Sequence, residues 1–329
     1  MSQTPALLNT QWGFFISRLF ILIGMLLAFT ALGSLAGIGL VKLIYGLDFT
    51  HINMEQIIEM CKEEPNTIPA LKLFQVFAGS IGVFLIPALL FPQALGEKAI
   101  NFLNLKKPTP YFSWLIAIAL MFMVIPAVSW LYQFNQGLRF PEEWKEFEAQ
   151  IKQMETQAGE LTRIFLKANS MGVLLLNLLV VAVIPAICEE FFFRGALQNF
   201  IRGCFNNEIL AIVFAALIFS GFHGQFYGFI PRLFLGIILG FLYATSGNIW
   251  VAVLAHFLNN AIATIVAYTA DLYPEMEIFS EDYLFPVYIS VLSLMMVTGL
   301  IIWHKKMFKD LIFQGVEPDN PVNTLDKTV

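Results

Sequence analysis

Two adjacent glutamates and an arginine end a long apolar run in this chain. The segment "EEFFFR", residues 189–194, follows "MGVLLLNLLVVAVIPAIC", in which no residue is charged. Ionisable side chains are costly in such surroundings, so they usually face the protein interior and have a function. Glu190 and Arg194 are four residues apart and can form an ion pair on one helix face. Glu189 is rotated by about 100° from Glu190 and has no such partner on its own helix.

Histidine and asparagine side chains supply the other polar groups of the apolar segments. His223 follows the segment "LAIVFAALIFSGF", and His256 and Asn260 lie in "AHFLNN". The spacing of four places His256 and Asn260 on one helix face, where both side chains can donate hydrogen bonds to one oxygen atom. These residues are therefore candidates for a shared site.

The spacing around a polar turn brings Glu189 and His223 to the same height. The turn is "RGCFNN", residues 202–207, and each of the two residues lies very roughly 20 to 26 Å from it along a helix. In an antiparallel hairpin they would stand side by side. We therefore expect Glu189 to lie within about 10 Å of His223 or His256, so that a water can link them.

A carboxylate and an imidazole that converge on one water indicate general-base catalysis. In this interpretation Glu189 and His223 activate the water. His256 and Asn260 stabilise the oxyanion of a tetrahedral intermediate. The pattern predicts hydrolysis of an acyl bond without a covalent nucleophile.

Three alternatives stay open at this point. Glu189, His223 and His256 could bind a divalent metal such as Zn²⁺, although the chain has no HExxH motif. Ser220 or Ser246 could act as a nucleophile, but no GxSxG motif frames either serine. The polar residues could also form a buried network that only holds helices together.

The composition requires a membrane environment for the elements that position these residues. Hydrophobic residues make up 58% of the 329 residues and charged residues only 13%, whereas soluble domains carry roughly 25% charged residues. We predict an all-α polytopic bundle, because apolar runs of this length cross a bilayer as helices. About eight crossings are expected, at roughly 13–45, 71–92, 111–134, 171–200, 207–224, 230–246, 249–269 and 285–304. The first is long enough to tilt or to break near "ALGSLAG".

An amphipathic helix is predicted over residues 141–167, between the third and fourth crossings. Trp144, Phe147, Ile151 and Met154 recur there at spacings of three and four among charged residues. This pattern is typical of a helix that lies on a membrane surface. A solvated connecting helix would show the same pattern. The last residues, "QGVEPDNPVNTLDKTV", are expected to form a disordered tail.

Charged residues near helix ends are expected to extend to the membrane interface. Arg18, Lys42, Lys72 and Arg232 are explained in this way. A further set of basic residues falls on one side of the bundle and favours cytosolic termini. This set comprises Lys98, Lys106, Lys107, Arg202, Lys305, Lys306 and Lys309. The net charge of −5 argues against a nucleic-acid partner.

The motifs resemble those of a known family of membrane proteins. "EEFFFRGALQ" is similar to the EExxxR motif of the CPBP intramembrane proteases, "FSGFH" to their FxxxH motif and "HFLNN" to their HxxxN motif. The family includes the CAAX prenyl endopeptidases, which process Ras-type proteins, and the bacterial Abi proteins. The order and the spacing of the motifs agree, and the similar part covers roughly residues 171–268.

The resemblance implies roles for the six polar residues. Glu189 would activate water with His223, His256 and Asn260 would hold the oxyanion, and the Glu190–Arg194 pair would support the site. The family has been described as metalloproteases, yet the resemblance also implies a glutamate-dependent mechanism in which a catalytic metal is not clearly needed. Zn²⁺ is therefore a possible cofactor and not a required one.

The sequence thus predicts three regions and one leading function. Residues 1–170 hold the N-terminal transmembrane helices and the amphipathic helix, 171–268 the catalytic core, and 269–329 the last transmembrane helix and the polar tail. The leading hypothesis is an intramembrane endopeptidase that cleaves a membrane-associated peptide or protein, in the inner membrane of a bacterium. The alternative is a non-enzymatic immunity or scaffold protein that keeps the polar network for packing.

Overall fold

The computed structural model describes residues 4–273, 275 and 285–312, and within these ranges every regular element is helical. Twelve helices are labelled here in chain order. They are α1 (Thr4–Tyr45), α2 (Met54–Glu63), α3 (Thr67–Ala94), α4 (Ala99–Phe102), α5 (Tyr111–Met123), α6 (Ile125–Gln136), α7 (Lys145–Leu166), α8 (Met171–Phe205), α9 (Glu208–Phe222), α10 (Phe229–Ser246), α11 (Ile249–Leu272) and α12 (Val287–Ile312). The predicted disordered tail lies outside the described residues.

The prediction of an all-α polytopic membrane bundle is confirmed. Six helices in the described part of the chain are long and apolar enough to cross a bilayer, and α5 with α6 makes a seventh if this pair, bent by 45°, counts as one span. The bend falls beside Pro126, which has no N–H for the helical hydrogen-bond ladder. The predicted crossing at 207–224 is α9, which has 15 residues and is shorter than a usual span.

Helix α1 is continuous through "ALGSLAG", so a break there is wrong. The small residues instead allow a close contact with α3. A Cβ atom built on Gly33 would lie 2.8 Å from the Cα atom of Gly82, and one built on Gly82 would lie 2.8 Å from the carbonyl oxygen of Phe29. Only glycine fits where two helix backbones approach so closely.

Helix α8 stands at the centre of the bundle and carries the "EEFFFR" segment. It contacts α3, α9, α10 and α11. Phe191, Phe192 and Phe193 are all buried in the main hydrophobic core. Two stretches of α8, Leu178–Val183 and Phe191–Gln198, have the wider π-helical hydrogen-bond pattern. Such turns are frequent at functional sites because they rotate the side chains that follow.

Glycines of α10 accept hydrogen bonds from long polar side chains of α8. Arg194 Nη2 donates to the carbonyl oxygen of Gly236 over 3.1 Å, and Gln198 Nε2 donates to that of Gly240 over 3.1 Å. A Cβ atom on Gly240 would lie 2.9 Å from Gln198 Oε1. The absence of side chains on α10 thus lets two polar residues of α8 reach its backbone, which fixes the two helices in register.

The amphipathic helix is present as α7, preceded by a short 3₁₀ turn at Glu142–Trp144. Trp144, Phe147 and Met154 are exposed. On the inner side, Glu160 pairs with Lys62 of α2 over 2.7 Å, and Glu155 Oε1 accepts a 3.0 Å hydrogen bond from the backbone N–H of Tyr227. That α7 lies on a membrane surface remains a prediction, as do the cytosolic termini.

Lys72 does not extend to an interface, so that prediction is wrong. Its side chain is buried and its ammonium group donates a hydrogen bond to Asn177 Oδ1 of α8. Asn177 Nδ2 in turn donates to the carbonyl oxygen of Leu166 over 2.7 Å. The lysine lies in the first turns of its helix, but that turn packs against α8 and the end of α7, which leaves the side chain no path to water.

Candidate active site

A cavity of about 100 Å³ lies between α5, α8, α9, α10 and α11. Four of the six predicted site residues line this cavity. Its lining residues are Met121, Glu189, Phe219, His223, Arg232, Leu235, Leu239, His256, Asn259 and Asn260. The structure therefore brings together polar groups from α8, the end of α9 and α11, which are far apart in the chain.

The remaining two predicted residues form a buried ion pair behind the cavity. Arg194 Nη1 donates to Glu190 Oε1 over 2.9 Å, and the two side chains are 1% and 0% exposed. The same carboxylate oxygen lies 2.8 Å from His256 Nδ1. Because the carboxylate already neutralises a guanidinium, it acts as acceptor and His256 Nδ1 carries a hydrogen. The ion pair thus orients the imidazole of His256.

Glu189 faces the cavity with a buried and unpartnered oxygen. Its Oε2 atom has no hydrogen-bond partner and lies 3.9 Å from His256 Nε2. This distance is too long for a direct hydrogen bond. It suits a bridging oxygen that stands about 2.8 Å from each atom, as an ordered water would. The expected proximity of Glu189 to His256 is met.

His223 caps the C-terminal end of α9 and is held through its backbone and its ring. Gly224, with a φ of +62°, ends the helix in the left-handed region that favours glycine. His223 Nδ1 lies 2.9 Å from the carbonyl oxygen of Phe219. A carbonyl only accepts, so Nδ1 carries the hydrogen, and the Nε2 atom of the neutral ring can accept a proton.

Asn260 contacts a carbonyl group that Pro185 leaves without its ordinary partner. Its Nδ2 atom donates to the carbonyl oxygen of Val181 over 3.1 Å. Four residues later in α8, Pro185 has no N–H for that carbonyl. Asn259 Nδ2 donates to Asn260 Oδ1 over 3.1 Å, which fixes the orientation of the amide. One N–H of Asn260 therefore serves the helix, and the second is available to the cavity.

Phe219 and Arg232 are two of the cavity residues that were not among the six predicted site residues. The ring of Phe219 contacts three polar residues of the site. The Arg194 guanidinium carbon is 4.7 Å from the centroid of this ring. The rings of His223 and His256 stand edge to face with it, with centroid distances of 4.9 and 5.8 Å. Its place at the start of the FxxxH motif was the available signal. Arg232, expected at the interface, turns into the cavity instead.

The three candidate metal ligands, Glu189, His223 and His256, all line the cavity, and a metal bound by them remains a prediction. Among the residues that the structure describes, no group of three or more His, Cys, Asp or Glu side chains could hold a metal ion. One ring nitrogen of each histidine is engaged, His223 with a carbonyl and His256 with Glu190, so Nε2 is the atom of each ring that a metal would use.

The comparison with protein families agrees with the motifs. Residues 171–262 match the family model described as type II CAAX prenyl endopeptidase Rce1-like. This part of the chain is similar to that family model and is called the Rce1-like segment below. The resemblance predicted from the motifs is confirmed, and all six predicted site residues lie within the segment. The segment comprises α8, α9, α10 and the first part of α11.

One curated relative resembles part of the chain. The "Uncharacterized protein YpbD" of Bacillus subtilis (strain 168) is 31% identical over 104 residues, which make up 30% of this chain and 48% of the relative. The chain thus matches about half the length of this relative. No solved structure matches the chain.

Proposed function

We propose that this integral membrane protein is an intramembrane endopeptidase that hydrolyses a peptide bond of a membrane-associated substrate with a water activated by Glu189 and His223. One observation carries the proposal. A single cavity holds a buried carboxylate oxygen without a partner, two imidazoles and an amide, all within the Rce1-like segment. One ring nitrogen of each histidine and one N–H of Asn260 are already bonded to the protein, which leaves the other polar atoms of these side chains for a reaction.

Water activation follows from the two acceptors at the cavity wall. Glu189 Oε2 and His223 Nε2 each accept a hydrogen bond from the water, and its oxygen attacks the scissile carbonyl carbon as a proton passes to Glu189. The protonated Glu189 then donates this proton to the leaving nitrogen as the C–N bond breaks. The products are a carboxylic acid and an amine, which together hold both hydrogens of the water, so Glu189 returns to its starting form and no group on the protein is consumed.

The developing oxyanion would be stabilised by His256 and Asn260. His256 would donate through Nε2 in its imidazolium form, while its Nδ1 atom stays bonded to Glu190. Asn260 donates through the second hydrogen of its amide, whose orientation is fixed by its other bonds. Donors fixed in advance are effective because they need not reorganise during the reaction.

Glu190 and Arg194 support the reaction without contact with the substrate. Their ion pair keeps His256 Nδ1 engaged and holds α8 against α10. The substrate would be a peptide or protein segment at the membrane, and the proposal includes a bacterial inner membrane and cytosolic termini. A prenyl group on the substrate is not required by any of the contacts above.

The test compares two substitutions in the cavity with one control outside it. The protein is purified in detergent and incubated with a pool of membrane-anchored peptides, and cleavage is followed by mass spectrometry. We expect Glu189→Gln and His223→Ala to lose at least about a hundredfold in rate, as for removal of a general base. Lys62→Ala, which breaks an exposed ion pair between α2 and α7, should cleave normally.

Equal cleavage by all three variants would contradict the assignment. The alternative of a non-enzymatic immunity or scaffold protein is favoured by a different result. In that result neither the wild-type protein nor any variant cleaves the pool, and cells that carry Glu189→Gln behave like cells with the wild-type protein. Loss of cleavage after chelation, restored by Zn²⁺, would favour the metal route instead.

A further inference from the structure

Arg232 has a buried guanidinium nitrogen without a partner inside the cavity. It lies in the first turn of α10, and its Nη1 atom is shielded from solvent and makes no hydrogen bond. No carboxylate of the described residues lies within ion-pair distance of it. A buried charged donor without an acceptor is costly, so such a group indicates a bound partner.

The surrounding residues hold this guanidinium in place. Its Nη2 atom donates to Gln225 Oε1. The group also lies over Gly228, where a Cβ atom would stand 2.1 Å from Nη1 and 2.6 Å from the guanidinium carbon. Gln225 thus orients one edge of the guanidinium, and Gly228 leaves room for it.

The loop beneath Arg232 is fixed from outside. Asn135 Nδ2 donates to the carbonyl oxygen of Phe226, and Glu155 accepts from the backbone N–H of Tyr227. The rings of Phe140 and Phe226 are in contact with centroids 5.2 Å apart. Residues of α6, α7 and the segment between them therefore hold the loop, so the guanidinium stays where it is without a ligand.

We propose that Arg232 binds a carboxylate group of the substrate at one end of the cavity and thereby selects the peptide. The inference deepens the proposed function and rests on it. A guanidinium matches a planar carboxylate through two parallel hydrogen bonds. The carboxylates of Glu155 and Glu189 interact with the charge of Arg232 electrostatically but form no ion pair with it. The carboxylate can come from the C-terminus of the peptide or from an aspartate or glutamate side chain near the scissile bond.

The experiment measures binding and does not depend on cleavage. The full-length protein with Glu189→Gln is immobilised in detergent and offered a palmitoylated peptide pool without acidic side chains. Half of the pool ends in a carboxylate and half in a carboxamide, and isotope labels distinguish the two forms. A second pool of peptides, added in equal amount and with its own label, carries one aspartate and a carboxamide end. Mass spectrometry gives the ratio of the retained forms.

We expect the carboxylate form to be retained about tenfold better than the carboxamide form, which corresponds to one charge-assisted hydrogen bond. In Arg232→Gln the ratio should fall to about one, while Arg232→Lys should keep part of it. Gly228→Ala is the matched control for charge. Its methyl group displaces the guanidinium but leaves the charge in the protein, and it should also lower the ratio severalfold.

Each outcome decides the inference. Preferential retention of the aspartate form, lost in Arg232→Gln, supports carboxylate binding and identifies a side chain as its source. Retention of both the carboxylate and the aspartate form no better than that of the carboxamide form with Arg232 intact, or a preference that survives in Arg232→Gln, overturns it. If Arg232→Gln does not elute as a folded protein, an unchanged ratio in Gly228→Ala overturns it instead. If hydrolysis is later shown not to depend on Glu189 while the ratio depends on Arg232, the proposed function fails and the binding site stands.

Discussion

The two adjacent glutamates should respond in opposite ways to the same substitution. Glu190 is fully buried, and its Oε1 atom contacts Arg194 at 2.9 Å and His256 at 2.8 Å. Glutamine in its place keeps the shape but leaves a buried guanidinium without a counter-ion. Removing one partner of a buried ion pair costs about 3 to 5 kcal/mol. Since the amide oxygen of glutamine can still accept one hydrogen bond, we expect Glu190→Gln to lower the free energy of unfolding by about 3 kcal/mol.

Glu189→Gln should leave the free energy of unfolding almost unchanged. The buried Oε2 atom of Glu189 accepts no hydrogen bond, so the substitution removes no favourable contact and relieves the burial of a charge. We expect a change of about zero or a small gain in stability, within about 0.5 kcal/mol. In the same protein, cleavage should be lost. Of these two neighbouring residues, Glu189 would thus serve cleavage and Glu190 would serve stability.

The assay is unfolding in mixed micelles, with sodium dodecyl sulfate as denaturant and helix content as the signal. A double variant, Glu190→Gln with Arg194→Met, is the internal control, because removing the charge of Arg194 should recover part of the loss. Recovery will be incomplete, since the carbonyl of Gly236 also loses its donor. An equal loss of stability in Glu189→Gln and Glu190→Gln would refute the assignment of one glutamate to the support and the other to the cavity.

Three further outcomes are expected. Gly33→Ile should separate α1 from α3, because a side chain cannot fit against Gly82. The free energy of unfolding in the assay above should fall by more than about 2 kcal/mol. An unchanged free energy of unfolding would contradict the close contact. Asn260→Leu should reduce both stability and cleavage. Adding Pro185→Ala, which returns an N–H to the carbonyl of Val181, should recover stability but not cleavage, and recovery of both would show that the amide has only a structural role. Dialysis against a chelator should leave cleavage unchanged, because in the proposed function the side chains of Glu189 and His223 activate the water directly.

Much of the site could be predicted because lipid restricts where polar groups can lie. Glu189, His223 and His256 interrupt apolar helices, so they had to face inward, and the position of the turn at 202–207 set the heights of the first two. The ion pair of Glu190 and Arg194 followed from a spacing of four and is present. Their roles in catalysis, and the three predicted regions, remain predictions.

Other contacts depend on how helices pack and could not be read from spacing. Lys72 and Arg232 lie near helix ends, where a long side chain can point either to the membrane interface or into the bundle. The packing of the neighbouring helices determines that both side chains turn inward. The contact of Asn260 with Val181 requires the backbone change before Pro185 and the exact approach of α11 to α8. A sequence shows that a carbonyl loses its donor at a proline. It does not show which distant side chain replaces that donor.

The length of α9 bears on where a substrate meets the cavity. Its 15 residues extend about 22 Å, whereas the hydrocarbon layer is about 30 Å thick. If its N-terminal end is level with one surface of the bilayer, His223 lies about 8 Å below the other, and lipid there must thin or give way to protein. A dip in the membrane of this kind would let water and an extended polypeptide enter together. Under the proposed function, the shortness of one helix would then set the depth of the scissile bond.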